Sequence, residues 1–137
     1  MRTHDVGPRA WTLTSLAVRI AQSLQLHRED AYASLTFFQA QVSRQSWFIL
    51  MAMDFQGSFD RGTDPVIAAN SYNTKLPLNL NDADYHLYST PILEGRLGPT
   101  DMSFMLLVSE IQHTIRELCF VPVSRSFKIH LANIMIR

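Results

Sequence analysis

Between Lys75 and Tyr85 the chain reads KLPLNLNDADY, and Asn79, Asn81, Asp82 and Asp84 fall within six positions. Such a cluster has three chemical uses: to hold a hard cation, to act as a carboxylate acid/base pair, or to tie backbone into turns. A calcium loop needs oxygens at alternating positions, a glycine at the sixth and a glutamate at the twelfth. Counted from Asn79, the fifth position is Ala83; counted from Asp82, the sixth is Leu87 and the twelfth Leu93. The ligand spacing fails. As an acid/base pair, Asp82 and Asp84 are no more distinctive than any two acids on a loop. Backbone chemistry remains, because Asn and Asp side chains bond neighbouring N–H groups. The spacing predicts a short helical turn beginning near Ala83 and capped by Asn81 or Asp82, with Pro77 stiffening its entry. Pro77, Asn79, Asn81, Asp82 and Asp84 are therefore the candidate turn residues, with Asp101 as a candidate cap further on.

Other chemistry has less support. The five histidines, His4, His27, His86, His113 and His130, are scattered, with no pair at one-turn spacing of the HExxH kind. No G-x-S-x-G elbow is present, and GSFDRG lacks the spacing and the Lys-Ser/Thr ending of a phosphate loop. Cys119 is the only cysteine, so one chain can build neither a disulfide nor a cysteine zinc site. The reading is of no enzyme, no catalytic residue and no cofactor. Asp54 and Glu110 sit beside apolar helical positions and read as buried polar anchors; His27 reads as a cation at a helix end.

The elements that must carry these residues are helical. Leu13, Leu16, Ala17, Ile20 and Leu24 recur at helical spacing and predict a helix from about Ala10 to His27, with Pro8 near its first turn. A second helix is predicted from Leu35 to about Phe55, ended by Gly57 and DRGTDP. Phe38, Val42, Ile49 and Met53 share one of its sides, and Trp47, Leu50 and Met51 widen the stripe. Its WFILMAM segment is apolar all round and is expected to be buried. Residues 56–100 read as a long, poorly periodic connection. Thr100 or Asp101 then opens a third helix to about Leu118, with Leu107, Ile111, Ile115 and Leu118 as its inward stripe and Pro122 closing it. Trp11, Trp47, Phe48, Met51 and Met53 are the candidates for an apolar interface or pocket. No strand alternates cleanly.

The whole chain has 137 residues, the size of one domain, with 47% apolar and 18% charged side chains. Twelve basic and twelve acidic residues cancel. That balance argues against nucleic-acid binding by this chain alone, since phosphate neutralisation needs a basic excess. No apolar run approaches the ~20 residues of a membrane span, and the start lacks the apolar stretch of a signal peptide. A soluble intracellular protein is expected.

Four stretches, AWTLTSLAVRIAQSLQLHRED, SWFILMAMDFQGSFDRGTDPVI, KLPLNLNDADY and TDMSFMLLVSEI, together resemble one family. In order and spacing they are similar to the middle homology region of fungal zinc-cluster transcription factors, the fungal-specific transcription factor domain. The resemblance covers about residues 10–121. It implies an all-α regulatory domain, nuclear, lying downstream of a zinc-holding six-cysteine DNA-binding module. Such a domain acts through intramolecular contacts, cofactor proteins or small effectors. Zinc is expected only in longer relatives, whose cysteine ligands are absent here. Ser15 and Gln25 stand where relatives often have glycine. The family's run of arginines before paired tryptophans here reads SRQSWF. The tail after about Arg125 matches nothing in the family.

The expectation is an all-α, irregular helical array of three main helices joined by a long loop, an incomplete copy of a larger regulatory domain. Residues 1–125 would form the partial domain and 126–137 a divergent tail. Function is expected through protein partners or self-association, with Trp47 and the Met51/Met53 region near the contact. The alternative is a small helical protein that binds or transforms an apolar metabolite on the same scaffold.

Overall fold

The structure is a computed structural model, and it describes residues 6–119. The expected closure by Pro122 and the boundary and tail at 125–137 lie outside those residues. Within them the protein is all-α: three α-helices and two short 3₁₀ segments, with no strand.

Helix α1 spans Val6–Ser23. Its interior hydroxyls are satisfied by the preceding turn: Thr12 donates to the Pro8 carbonyl (2.9 Å), Thr14 to Ala10 (2.9 Å) and Ser15 to Trp11 (3.1 Å). The helix ends four residues earlier than expected. The Leu26 amide reaches back to the Ala21 carbonyl (3.0 Å), and Gln25 adopts a left-handed φ of 62°. This is the glycine-type stop of an α-helix, built on a residue that carries a Cβ. His27 consequently lies beyond the helix end instead of capping its dipole; its ring is 5.9 Å from Trp47.

A 3₁₀ segment, Glu29–Ser34, leads to helix α2, Phe37–Arg61. Thr36 and Gln39 form a reciprocal capping box, amide to side chain in both directions (3.2 and 3.1 Å). The predicted stop at Gly57 does not occur. A Cβ on Gly57 would stand 3.4 Å from Trp11 Cδ1, so glycine there lets the α1 indole lie close against α2. Packing offsets the propensity cost of about 1 kcal/mol for a helical glycine. The stop comes at Gly62, left-handed at φ 65°. Residues 63–102 then run without α-helix or strand, interrupted only by the 3₁₀ turn Asp82–Asp84. Helix α3 spans Ser103–Cys119.

Helix α2 is the central element and packs against both α1 and α3. Val18, Ala21, Trp47, Phe48, Met51 and Ile67 form the core, with Leu26, Leu50, Tyr72 and Met105 packed on it. The apolar stripes of α1 and α3 lie mostly outside, and that of α2 is split, with Trp47 and Met51 inside. On α1, Leu13 is 64% exposed, and Leu16, Ile20 and Leu24 are exposed with it, whereas Thr14, Val18 and Ala21 are buried. On α2, Val42, Ile49 and Met53 are exposed; on α3, Leu107, Ile111 and Leu118 are exposed and Ile115 is half-buried. WFILMAM is thus enclosed on one side only. The physical reason is close approach: interaxial distance is set by the side chains between two helices. The small residues of α1 bring it nearer to the bulky Trp47 and Phe48 than a leucine stripe would.

Candidate functional site

The KLPLNLNDADY segment is held by a polar clasp that joins it to the start of α3. The Asn79 side-chain amide donates to the carbonyls of Arg96 (2.8 Å) and Gly98 (2.9 Å), while its oxygen accepts from the Thr100 hydroxyl (2.6 Å). The Asn81 amide donates to Asp84 Oδ2 (2.8 Å), and the Asn81 side-chain oxygen accepts from the Asp101 amide (3.1 Å). Asp101 sends its carboxylate back to the Asp82 amide (2.9 Å). The Asp84 carboxylate is gripped by the Arg96 guanidinium, with Nε at 2.6 Å and Nη2 on its other oxygen. The Arg96 hydrogen bond and then the Asn81 amide hold the Asp84 carboxyl below its ordinary range. Pro77 is buried at the entry. With Asn79, Asn81, Asp84 and Asp101 all occupied in this way, the arrangement sets backbone shape and leaves no carboxylate pair free for proton transfer.

The same connection is fastened to the helices by side chains that take the place of a ladder. Gln41, fully buried, donates to the Leu78 carbonyl (2.9 Å) and accepts from the Leu78 amide (3.1 Å). Asp54, 1% exposed, accepts from the amides of Val66 (3.0 Å) and Ile67 (2.8 Å). Arg116 Nη1 donates to the Ile67 carbonyl (2.9 Å), and Thr74 to the Leu26 carbonyl (2.8 Å). Glu29, paired with Arg44, accepts from the Lys75 amide (2.9 Å). Burial works against its ionised form, but Arg44 and the Lys75 amide outweigh that and lower its pKa. Asp54 is the buried anchor expected of it, whereas Glu110 is exposed. Gln41 and Arg116 were not anticipated. A polar residue amid the apolar positions of a helix was the available signal.

The apolar candidates separate. Trp47 is wholly enclosed, its ring 5.9 Å from those of both His27 and Tyr72, so it belongs to the core and cannot itself meet a partner at the surface. Trp11 is half-buried beneath the Arg61 guanidinium. Phe48 and Met51 are nearly buried but line a cavity of about 260 Å³ between α2, Tyr72 and α3. Met53 lies on the exposed side of α2. A second cavity, about 570 Å³, opens between residues 64–72 and α3. Tyr72, His113 and Arg116 line both cavities.

Comparison with known proteins fits this helical scaffold to one group. The chain matches the family described as "Fungal specific transcription factor domain" over residues 3–135. The chain belongs to that family. This fungal transcription factor domain is 38% identical over 121 residues to the C6 finger domain transcription factor nscR of Aspergillus fumigatus, covering 87% of the chain and 15% of the relative. It is 38% identical over 129 residues to the C6 finger domain transcription factor adaR of Aspergillus niger, covering 90% and 16%. It is 32% identical over 108 residues to the pyriculol/pyriculariol biosynthesis cluster transcription factor 1 of Pyricularia oryzae, covering 79% and 15%. The domain therefore spans about one-sixth of the length of these curated relatives. No solved structure matches it. Its residues do not fit the zinc cluster of the wider group. Cys119 is the single cysteine, and among the described residues no three His, Cys, Asp or Glu side chains are placed to hold an ion. Among those residues no helix is long and apolar enough to cross a membrane.

Proposed function

We propose that the chain is a regulatory region of a fungal zinc-cluster-type transcription factor, acting in the nucleus on DNA-templated transcription through protein contacts. The observation that carries this reading is the exposed stripe Leu13, Leu16, Ile20 and Leu24 on α1, in a chain of this family. Leucines and isoleucines at this spacing make one continuous apolar strip, and exposed patches of that kind mark interfaces. The exposed Phe104, Leu107, Ile111 and Leu118 make a second strip on α3. Direct recognition of DNA is not part of the proposal, because twelve basic and twelve acidic side chains leave no net charge to meet phosphates.

The test is a tethering experiment. The 137-residue chain is fused to an unrelated DNA-binding module in a fungal reporter strain. A change in reporter output over the bare module is expected, lost in the Leu16→Lys/Ile20→Lys variant and kept in Asp82→Ala. Reporter output equal to that of the bare module, or lysine variants that act like the parent, would overturn the proposal. Sedimentation at micromolar concentration reports the contact directly: the parent is expected to associate, and the lysine variant to run as a monomer.

A further inference from the structure

Arg116 is the charged side chain whose partners do not add up. It is 8% exposed, and its Nη1 is used on the Ile67 carbonyl, with the guanidinium 6.0 Å from the Phe55 ring. Its Nη2 is closed off from water and, among the described residues, has no hydrogen-bond partner. Among the described residues it makes no ion pair. The acids along the cavity walls, Asp64, Glu110 and Glu117, are exposed, and Glu117 is engaged instead with His113 (3.4 Å). An arginine stays protonated in proteins, so a buried guanidinium without an acid carries an uncompensated charge and an unused donor, a costly state.

The surroundings describe what would complete it. The 570 Å³ cavity is walled by Pro65, Ile67, Ala68, Ala69 and the Tyr72 ring, all on the far side from α3. A concave, mostly apolar space with one convergent charged donor is the usual form of a small-molecule site. We propose that this cavity binds a small apolar molecule carrying a single carboxylate, which pairs with the free face of the Arg116 guanidinium. The donor is already stripped of water, so an incoming oxygen gains the charge-assisted bond without the desolvation that an exposed arginine would undergo. Arg116 lines the cavity, and the pairing requires its guanidinium to turn Nη2 toward that space. The two carboxylates on its wall, Asp64 and Glu117, disfavour a phosphate or any polyanion, and the apolar floor disfavours a small hydrophilic acid. Binding here would tie residues 64–72 to α3 through the ligand, adding to the one bond that Arg116 now makes to Ile67.

The proposal is independent of the protein-contact reading and is tested on the same 137-residue chain with a fluorinated naphthoate followed by fluorine NMR. Saturable one-to-one binding is expected. Arg116→Met should weaken it by about tenfold or more, the scale of a lost hydrogen bond to a charged group. The corresponding naphthyl methyl ketone should bind the parent as weakly as the acid binds that variant. Ala69→Trp, which fills the cavity from an exposed position, should abolish binding, and Ile20→Lys on the α1 strip should leave it unchanged. Absence of saturable binding, equal affinity for acid and ketone, or loss of binding in Ile20→Lys would overturn the proposal. If circular dichroism shows Arg116→Met to be unfolded, the acid-to-ketone ratio and Ala69→Trp decide the matter.

Discussion

The irregular connection 63–102 and the α-helices divide the work of folding in opposite ways. The connection has no backbone ladder, yet its amides and carbonyls find partners on Gln41, Asp54, Asn79 and Arg116, and Ile67, Leu80 and Tyr85 are buried. The helices satisfy their own backbones and leave Leu13, Leu16, Ile20, Leu24, Leu107 and Ile111 outside. A helix is self-sufficient in hydrogen bonds and so is free to hold out an apolar face. A chain without a ladder must borrow donors and acceptors, and it keeps its shape only while docked.

The largest expected effect falls on the docking of the connection. Asp54→Ala removes the acceptor for the buried Ile67 amide and the part-buried Val66 amide and should cost about 3 kcal/mol in urea unfolding, the sum of two bonds to a charged group. A loss below about 1 kcal/mol would mean that those amides find other partners and that the connection is not held from α2. Gly95→Ala comes next. A Cβ there would stand 2.9 Å from the Asn79 backbone nitrogen, so the clasp must shift, at about 1–3 kcal/mol. An unchanged melting temperature would show that the clasp is loose.

Gln25→Gly should act in the other direction. It relieves a left-handed residue at the α1 stop and is expected to raise stability by about 1 kcal/mol, measured by the same unfolding experiment. A fall instead would mean that the Gln25 side chain contributes more than its backbone conformation costs.

Acid should loosen the connection before the helices. Asp84 and Glu29 both have lowered pKa values in the folded chain. Their contribution is therefore complete above the ordinary carboxylate range and is lost as pH falls through the depressed values, below about pH 4. The urea midpoint should decline there, and Asp84→Asn should flatten part of the decline. A flat profile in the parent would remove these two ion pairs from the account.

The smallest effect is expected on the exposed strips. At protein concentrations low enough for the parent to be monomeric, Leu16→Lys and Leu107→Lys should each leave stability within about 0.5 kcal/mol of the parent, as for surface positions generally. A loss of several kcal/mol would place these leucines in a buried contact within the folded species.

Much of the helical framework was legible in the residues. The periodic stretches located three helices, and the T-x-x-Q spelling at 36–39 marks the start of α2 for a reader who looks for capping boxes. The four matched stretches pointed to the family. Ends were less legible: Gly57 looks like a stop, but the indole of Trp11 occupies the space it leaves, and Gln25 ends α1 without looking like a stop at all.

The amino-acid sequence by itself determined the class of the fold, because helical periodicity, capping and glycine placement are local properties written within a turn or two of chain. It also determined the family, through stretches whose wording survives without coordinates. Only the tertiary structure decided which face of each helix is inside. Both faces of α1 and α2 are rich in apolar residues, and the choice between them depends on how closely two particular helices can approach. Only the tertiary structure, likewise, brought Arg116 on α3 to the Ile67 carbonyl 49 positions away and left its second nitrogen without a partner among the described residues. Hydrophobic periodicity registers the amount of apolar surface on a helix, whereas burial and pairing are settled by the partner that arrives from elsewhere in the chain.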